Sequence, residues 1–256
     1  MTNLNKKIIA FDLDGTLAES KRPLDKEMAL LIEELAKNKI IVIISGGKFE
    51  QFRTQFLPGF TKEELSLPFI KNLILLPTSG SQRYEYDSET QEWKLTDIEV
   101  FSEDIKEKAK KVLKDIINSK LYDIPDNPIG EYIEDRITQL SISALGQEAP
   151  IEQKKLWDPD QKKRQKIKVV LEKEIPETSI IIGGTTTIDI LPKGFDKAKG
   201  LIRLINKLGM TKADMIFVGA SIFPGGNDYS VLQADIESIK VSGPTETKEI
   251  LERWIS

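Results

Sequence analysis

Two short, unbroken apolar runs, Ile8–Phe11 and Ile40–Ile44, most constrain the fold, because each is followed by a stretch with helical periodicity. Runs of this length are typical of strands buried on both faces of a parallel sheet. Between them, residues 25–38 carry apolar side chains at helical spacing, which predicts an amphipathic helix capped by Asp25. Three phenylalanines between positions 49 and 56 predict a second helix. Strand, helix, strand, helix indicates a doubly wound parallel sheet.

This pattern stops after a third predicted strand at 72–80 and returns near residue 196. The elements predicted in between are a hairpin (83–95), two helices (102–120 and 158–174) and antiparallel strands (137–145 and 178–191). Afterwards come a helix (196–208), a buried strand (214–218) and a closing helix (245–255). We therefore expect an α/β fold: a doubly wound parallel-sheet core from residues 1–86 and 189–256, with an inserted α+β cap domain at 87–188.

Cysteine and histidine are both absent from the 256 residues, which excludes several kinds of chemistry. A Ser-His-Asp triad, a thiolate nucleophile, a disulfide framework and an ordinary zinc site all need one of these residues. Any covalent or acid-base chemistry must therefore use carboxylates, hydroxyls or lysines. The net charge of −4 gives no electrostatic case for nucleic acid or an anionic membrane as a partner.

No targeting or membrane segment is predicted. The apolar run near the N-terminus ends at Asp12, which is too short for a secretory signal, and no run approaches the roughly 20 apolar residues of a membrane helix. We therefore expect a cytoplasmic protein. The sequence leaves the oligomeric state open, a homodimer included.

Oxygen-bearing side chains follow three of the predicted core strands. Asp12, Asp14 and Thr16 follow the first, Ser45 the second, and Asp228 lies in the glycine-rich loop after the strand at 214–218. Ligands of doubly wound sheets bind at the carboxyl ends of the strands, so these groups should converge. Two carboxylates about 4 Å apart repel by about 4 kcal/mol at an effective dielectric constant near 20, so the site needs a cation. An all-oxygen site suits Mg²⁺.

Lys197 lies in an unusual place for a cation. It follows Asp196, the expected N-cap of the helix at 196–208, and therefore falls in the first turn. The helix dipole disfavours a positive charge there by about 0.3 to 1 kcal/mol, whereas a bound anion would reverse the effect. Acids with a metal, a hydroxyl and a lysine at a helix start together indicate a phosphate-binding site.

These residues carry a family resemblance that spans the chain. DLDGT after the first strand, Ser45, Lys197 and the acidic loop at Asp228 resemble the four signatures of the haloacid dehalogenase superfamily. Within it, GGTTTIDILPKGFDK and PGGND resemble the eukaryotic-type phosphomannomutases, with the capped sugar phosphatases of the Cof type as further relatives. The resemblance implies Mg²⁺-dependent phosphoryl transfer on a hexose phosphate, a small-molecule partner.

The resemblance also implies roles for the core residues. Asp12 would be the nucleophile that forms an aspartyl phosphate, and Asp14 the general acid and base. The metal ligands would be Asp12, Asp14 through its backbone carbonyl, and Asp228. Lys197 would join them in catalysis and would hold the transferring group. Further phosphate contacts would come from Thr16, Ser45 and Gly46.

Two further residues complete the expected site: Arg136 in the predicted cap, and Asp189 at the first position of the predicted core segment that follows it. The resemblance implies that Arg136 binds the substrate's non-reacting phosphate and that Asp189 meets sugar hydroxyls, while the cap closes and excludes water. Arg136 could equally be an ion-pair partner of Glu134 or Asp135. Taken alone, the core residues also have plainer interpretations: Ser45 and Asp228 suit turns, and most lysines are solvated.

The chain departs from the family pattern at two positions. The loop after the strand at 214–218 begins Gly219-Ala220 where the family usually has Gly-Asp, and Gln147 stands where a second phosphate-binding arginine is expected. Glutamine does not replace the charge of an arginine. Two alternatives to a mutase therefore stay open: a sugar-phosphate phosphatase of the same fold, and an inactive phosphosugar-binding relative.

Overall fold

The computed structural model describes residues 5–66 and 68–256, which form two compact units. The core unit contains residues 5–98 and 197–256, and the insert unit contains residues 99–196. Both limits fall later than the expected 87 and 188. The predicted hairpin pairs with the core sheet, and residues up to Pro192 belong to a strand of the insert unit.

A seven-stranded sheet forms the centre of the core unit. Numbered along the whole chain, its strands are β1 (Ile8–Asp12), β2 (Ile40–Ile44), β3 (Leu73–Leu76), β4 (Gln82–Asp87), β5 (Glu92–Ile98), β10 (Met215–Gly219) and β11 (Glu237–Lys240). The strand order is β11-β10-β1-β2-β3-β4-β5. The first five strands in that order are parallel, and β4 and β5 are antiparallel additions at one edge. The predicted doubly wound parallel core is confirmed.

Alternate residues of the central strands pack into two separate apolar clusters, one on each face of the sheet. Ile9 and Phe11 of β1 belong to one cluster, and Ile8 and Ala10 belong to the other. The helices of the core unit are α1 (Lys26–Ala36), α2 (Phe49–Gln51), α6 (Lys197–Lys207), α7 (Tyr229–Gln233) and α8 (Pro244–Ile255). The expected cap of α1 is confirmed, since the Asp25 side chain accepts the Met28 N–H at 2.9 Å.

The helix expected over residues 49–56 differs from an ordinary α-helix. The chain makes one α-helical turn, α2, continues as a π-helix over Phe52–Phe56 and ends as a 3₁₀ turn over Leu57–Gly59. Phe52 and Phe56 are fully buried in the core, as the spacing indicates. The wider π turn also buries Gln55, an amide that the apolar pattern does not explain.

The insert unit combines three helices with an antiparallel sheet, as expected of an α+β module, and α3 and α5 pack against the strands. Its elements are α3 (Glu103–Asn118), β6 (Ile133–Asp135), β7 (Leu140–Ser143), α4 (Ile151–Trp157), α5 (Lys162–Glu174), β8 (Thr178–Gly183) and β9 (Thr187–Pro192). The strand order is β6-β7-β9-β8. The helix predicted from residue 158 begins instead at Lys162. The Asp158 carboxylate accepts the backbone N–H groups of Lys163 and Arg164 and therefore stabilises the start of α5.

Within the described part of the chain, none of the helices combines the length and apolar character needed to span a bilayer.

Candidate active site

The site in the core unit begins where β1 ends. Asp12 is the last residue of the strand, and Leu13 points into the apolar core. The chain then turns at Gly15, whose φ of +78° lies in the left-handed region that favours glycine. Asp12 leaves β1 on the face opposite to Phe11, because side chains alternate along a strand.

Lys197, the first residue of α6, joins two of the three predicted acids. Its Nζ lies 2.5 Å from Asp12 Oδ1 and 2.6 Å from Asp228 Oδ1. All three side chains are buried, with exposed fractions of 1% for Lys197, 5% for Asp12 and 0% for Asp228. The ammonium group therefore lies between two carboxylates that come from the ends of different parallel strands.

The second oxygen of each carboxylate is also held. The Thr16 hydroxyl lies 3.2 Å from Asp12 Oδ2 and accepts the Ala220 N–H at 2.9 Å. Asp228 Oδ2 accepts the Ser221 N–H at 2.9 Å. The loop after β10 therefore orients both acids through backbone donors. Gly219 permits this approach, because a Cβ there would lie only 2.6 Å from Asp228 Oδ2.

Burial and charge act in opposite directions on the buried pair. Burial raises the pKa of the Asp12 carboxyl, although the Lys197 ammonium opposes that shift. Burial alone would lower the pKa of Lys197, but the attraction of Asp12 and Asp228 outweighs it, so this pKa is raised. Lys197 therefore keeps its proton, whereas burial favours the neutral form of Asp12.

Ser45 follows β2 directly, as expected, and is buried. Its hydroxyl accepts the Gly47 N–H at 3.1 Å and lies 3.5 Å from Gln51 Oε1. Gly46 lies in the same loop and is partly buried. The backbone carbonyl of Ser45 accepts the Ser79 N–H at 2.8 Å, which ties this loop to the turn after β3.

Asp14 points to a different set of donors from Asp12 and Asp228. Its Oδ2 accepts from Gln51 Nε2 at 2.5 Å, while its Oδ1 accepts from Gln55 Nε2 at 3.0 Å and from the Lys21 N–H at 2.8 Å. The sequence interpretation missed both glutamines. The available signal was Gln55 itself, a polar residue placed directly before a core phenylalanine on a helix that carries Gln51 one turn earlier.

The structure brings Arg136 and Asp189 together within the insert unit. Arg136 Nε lies 2.7 Å from Glu134 Oε2, and Arg136 Nη1 lies 3.8 Å from Asp189 Oδ1. No group of the described chain donates a hydrogen bond to that oxygen of Asp189. Burial raises the pKa of Asp189, and Arg136 partly offsets the shift. A buried carboxylate oxygen without a donor is suited to accept from a hydroxyl group.

Gln147 uses its side chain for internal contacts. Its Nε2 lies 3.4 Å from the Tyr132 carbonyl oxygen and 3.3 Å from that of Ser141. The backbone carbonyl oxygen of Gln147 accepts a hydrogen bond from the buried Lys154 Nζ at 2.9 Å. The position expected to hold a phosphate-binding arginine therefore carries an amide that is bonded to the backbone of the insert unit.

The donor set for a metal is smaller than the sequence suggests. Across residues 5–66 and 68–256, no three Asp or Glu side chains are grouped closely enough to hold a metal ion. Asp12 and Asp228 remain as two buried carboxylates, and the Oδ1 atom of each contacts Lys197 Nζ. Mg²⁺ commonly takes one or two carboxylates and keeps several waters, so the two carboxylates fit the ion in kind and number. Ala220, in the loop beside them, has no side-chain oxygen to add.

Known proteins similar in sequence to this chain include phosphomannomutases. The family model described as eukaryotic phosphomannomutase matches residues 28–256. The phosphomannomutase of Encephalitozoon cuniculi is 31% identical over 255 residues, covering 96% of this chain and 93% of that protein. Phosphomannomutase 2 of Dictyostelium discoideum is 26% identical, covering 98% and 97% respectively.

Among solved structures, the C-terminally truncated IMP-nucleotidase of Plasmodium falciparum superimposes with a TM-score of 0.75. The two proteins are 17% identical, and the match covers 98% of this chain and 71% of the other. At this identity the likeness concerns the fold alone, a doubly wound parallel-sheet core with an inserted α+β module.

Proposed function

The chain belongs to the eukaryotic phosphomannomutase family, and we propose that it transfers a phosphoryl group within a hexose phosphate through an aspartyl-phosphate intermediate on Asp12. Mannose 6-phosphate and mannose 1-phosphate are the substrates that the family name suggests. The protein is an enzyme of the phosphotransferase and phosphatase class. A cytoplasmic location stays a prediction from the sequence.

The reaction has two halves. In the first, an oxygen of Asp12 attacks phosphorus, the bond to the sugar oxygen breaks, and Asp14 gives its proton to that oxygen. In the second, Asp14 removes a proton from the attacking hydroxyl, and the new oxygen–phosphorus bond forms as the bond to Asp12 breaks. For a mutase the attacking hydroxyl belongs to a hexose monophosphate, so the second half yields a hexose bisphosphate. That bisphosphate turns over in the site and gives its other phosphoryl group to Asp12, which releases the isomeric monophosphate and restores the aspartyl phosphate.

One observation carries this proposal: Lys197, the buried first residue of a helix, places its Nζ within 2.6 Å of two buried carboxylates, Asp12 and Asp228. A buried ammonium at that place can neutralise the charge that develops on a transferring phosphoryl group. Thr16 fixes the second oxygen of Asp12, so the carboxylate is held in one orientation. Orientation of this kind lowers the entropic cost of attack.

Mg²⁺ would be held by Asp12, Asp228 and the Asp14 backbone carbonyl. It would supply positive charge next to the phosphoryl oxygens. The residues of the chain carry every bond change and proton transfer described above.

The test is a panel of hexose phosphates with Mg²⁺, assayed with wild-type protein, Asp12→Asn and the surface control Asp235→Asn. Asp235 is exposed and lies outside the site. We expect the wild type and the control to become labelled by a phosphoryl donor and to turn over substrate, whereas Asp12→Asn should do neither. Labelling of Asp12→Asn at the wild-type rate would reject Asp12 as the nucleophile.

A second candidate, a sugar-phosphate phosphatase, is favoured by the contacts of Gln147. A mutase must hold the non-reacting phosphate of a bisphosphate intermediate in two orientations, and the amide of Gln147 is neutral and bonded to backbone carbonyls. Incubation of mannose 1-phosphate with a catalytic amount of hexose bisphosphate separates the two functions. Isomerisation supports the mutase, and release of inorganic phosphate without isomerisation supports the phosphatase.

A further inference from the structure

Gln51 and Gln55 hold the carboxylate of Asp14 from both sides. Each amide donates to a different oxygen, at 2.5 Å and 3.0 Å, and the Lys21 N–H adds a third contact at 2.8 Å. The two amides also contact each other, with Gln51 Nε2 2.7 Å from Gln55 Oε1. The Asp14 side chain therefore has a fixed orientation that does not depend on Asp12 or Lys197.

The backbone around these glutamines is built to hold them. Gln51 is the last residue of α2, and Gln55 lies in the π-helix that follows. π turns are rare and are frequently found at functional sites. Phe52 and Phe56 on either side of Gln55 are fully buried and fix the segment to the core. The Gln55 carbonyl also accepts the Leu24 N–H at 2.6 Å.

Because Gln55 is buried, its side-chain amide needs hydrogen-bond partners within the protein. Its exposed fraction is 2%, and a buried amide without hydrogen bonds costs about 1 to 3 kcal/mol. Its partners are Asp14 Oδ1, Gln51 and, at 3.4 Å, the Glu19 carbonyl. An apolar side chain would fill this core position without that cost, so packing alone does not explain a glutamine here.

Gln51 also reaches towards the expected phosphate-binding residue. Its Oε1 lies 3.5 Å from Ser45 Oγ, while its Nε2 contacts Asp14. The Gln51 amide therefore contacts both Asp14, the proposed general acid, and Ser45, which is expected to hold the phosphoryl group. A shift of about 1 Å between such groups can reduce a rate by about 100-fold.

We propose that Gln51 and Gln55 are positioning residues that hold Asp14 where it can give its proton to the leaving sugar oxygen and later remove one from the attacking hydroxyl. The proposal rests on the proposed function, since it assumes that Asp14 is the general acid and base. The glutamines do not exchange protons with substrate. They act through the orientation of the Asp14 carboxyl group.

Two substrates with different leaving groups distinguish a positioning role from a purely structural one. A sugar oxygen needs a proton as it leaves, whereas p-nitrophenolate is stable as an anion and needs little help from an acid. Single-turnover transfer to the enzyme is therefore measured with mannose 1-phosphate and with p-nitrophenyl phosphate. The proteins compared are wild type, Gln51→Met, Gln55→Met and the exposed control Gln233→Met.

For both site variants we expect transfer from mannose 1-phosphate to slow by about 10- to 100-fold, with less than about threefold change for p-nitrophenyl phosphate. Gln233→Met should match the wild type. Equal losses with both substrates, or no loss with either, would reject the positioning role. If Gln55→Met does not fold, as judged by circular dichroism, Gln51→Met decides, because Gln51 is only partly buried.

The same experiment keeps this proposal apart from the proposed function. If the wild type accepts no phosphoryl group from either substrate, the proposed function fails and the positioning role falls with it. If the wild type is labelled at Asp12 and the variants lose both substrates equally, only the positioning role is rejected.

Discussion

Replacing Lys197 by methionine should destabilise the core unit strongly, because it leaves two buried carboxylates without their shared cation. The ammonium lies 2.5 Å from Asp12 and 2.6 Å from Asp228. Each attraction is worth about 4 kcal/mol at 4 Å with an effective dielectric constant near 20. Burying the ammonium costs several kcal/mol in return, so breaking such a network is expected to cost about 3 to 5 kcal/mol.

The stability lost in Lys197→Met should be greater at high pH than at low pH. Burial holds the pKa of Asp12 above its value in the unfolded chain, and removal of Lys197 removes the main opposing influence. As the pH falls, the folded variant therefore takes up a proton at Asp12 before the unfolded chain does. The buried charge is relieved in acid, so the destabilisation should be largest at pH 8 and smaller at pH 5.5.

The assay is urea unfolding followed by tryptophan fluorescence at both pH values. Two of the three tryptophans, Trp93 and Trp254, belong to the core unit. Lys248→Met is the matched control. Lys248 also bridges two carboxylates, Asp25 and Glu27, but with 20% of its side chain exposed, and such pairs contribute about 0 to 1 kcal/mol.

The reasoning predicts a clear difference between the two variants at pH 8. If Lys197→Met lost no more stability than Lys248→Met, the two buried acids could not depend on the ammonium for their charge balance. A loss that stayed constant or grew between pH 8 and pH 5.5 would also contradict the argument, since it would mean that Asp12 does not take up the proton.

Two further predictions concern the loop after β10 and the start of α6. Ala220→Asp places an acid beside the site and should tighten Mg²⁺ binding by about tenfold or more in calorimetry. The control, Ala213→Asp at an exposed position, should not change the affinity. If Ala220→Asp also left the affinity unchanged, Ala220 would not be part of the metal site. Gly200→Ala places a Cβ 2.6 Å from the Ser79 carbonyl oxygen, so it should destabilise the core by about 1 to 3 kcal/mol although alanine favours helices. Gly243→Ala is the control, because a Cβ at position 243 would meet no atom within 4 Å. If the two variants had equal unfolding midpoints, α6 would not be closely packed at Gly200.

The parts of the fold that could be predicted are those where burial leaves a clear pattern. The runs at Ile8–Phe11 and Ile40–Ile44 form strands as expected, because strands covered on both faces are apolar throughout. The strand β11 (Glu237–Lys240) was missed because it lies at the sheet edge and is partly exposed, so it carries no such run. The hairpin at 82–98 has the same alternating sequence whichever sheet it joins, so its place in the core sheet did not follow from the sequence.

For the core residues, the sequence predicted that Asp12 and Asp228 lie near each other, but not which side chains they contact. Strand ends meet at one edge of a parallel sheet, which places Asp12 and Asp228 near each other. The sequence did not indicate that Lys197 would lie between them. It also did not indicate that Asp14 would face Gln51 and Gln55, because the spacing of the phenylalanines at 49–56 does not distinguish an α-helix from the π turn that buries Gln55.

The mutase and the phosphatase share their first half-reaction, so the residues that carry it do not distinguish them. Asp12, Lys197 and Asp228 would form the same aspartyl phosphate in either enzyme, and the two activities differ only in whether a sugar hydroxyl or water attacks it. That choice depends on how firmly the non-reacting phosphate is held, which the family resemblance assigns to the inserted residues. Arg136 is bonded to Glu134 and Gln147 is neutral, so we expect substitutions in the insert unit to shift the balance between the two activities, while substitutions in the core should affect both alike.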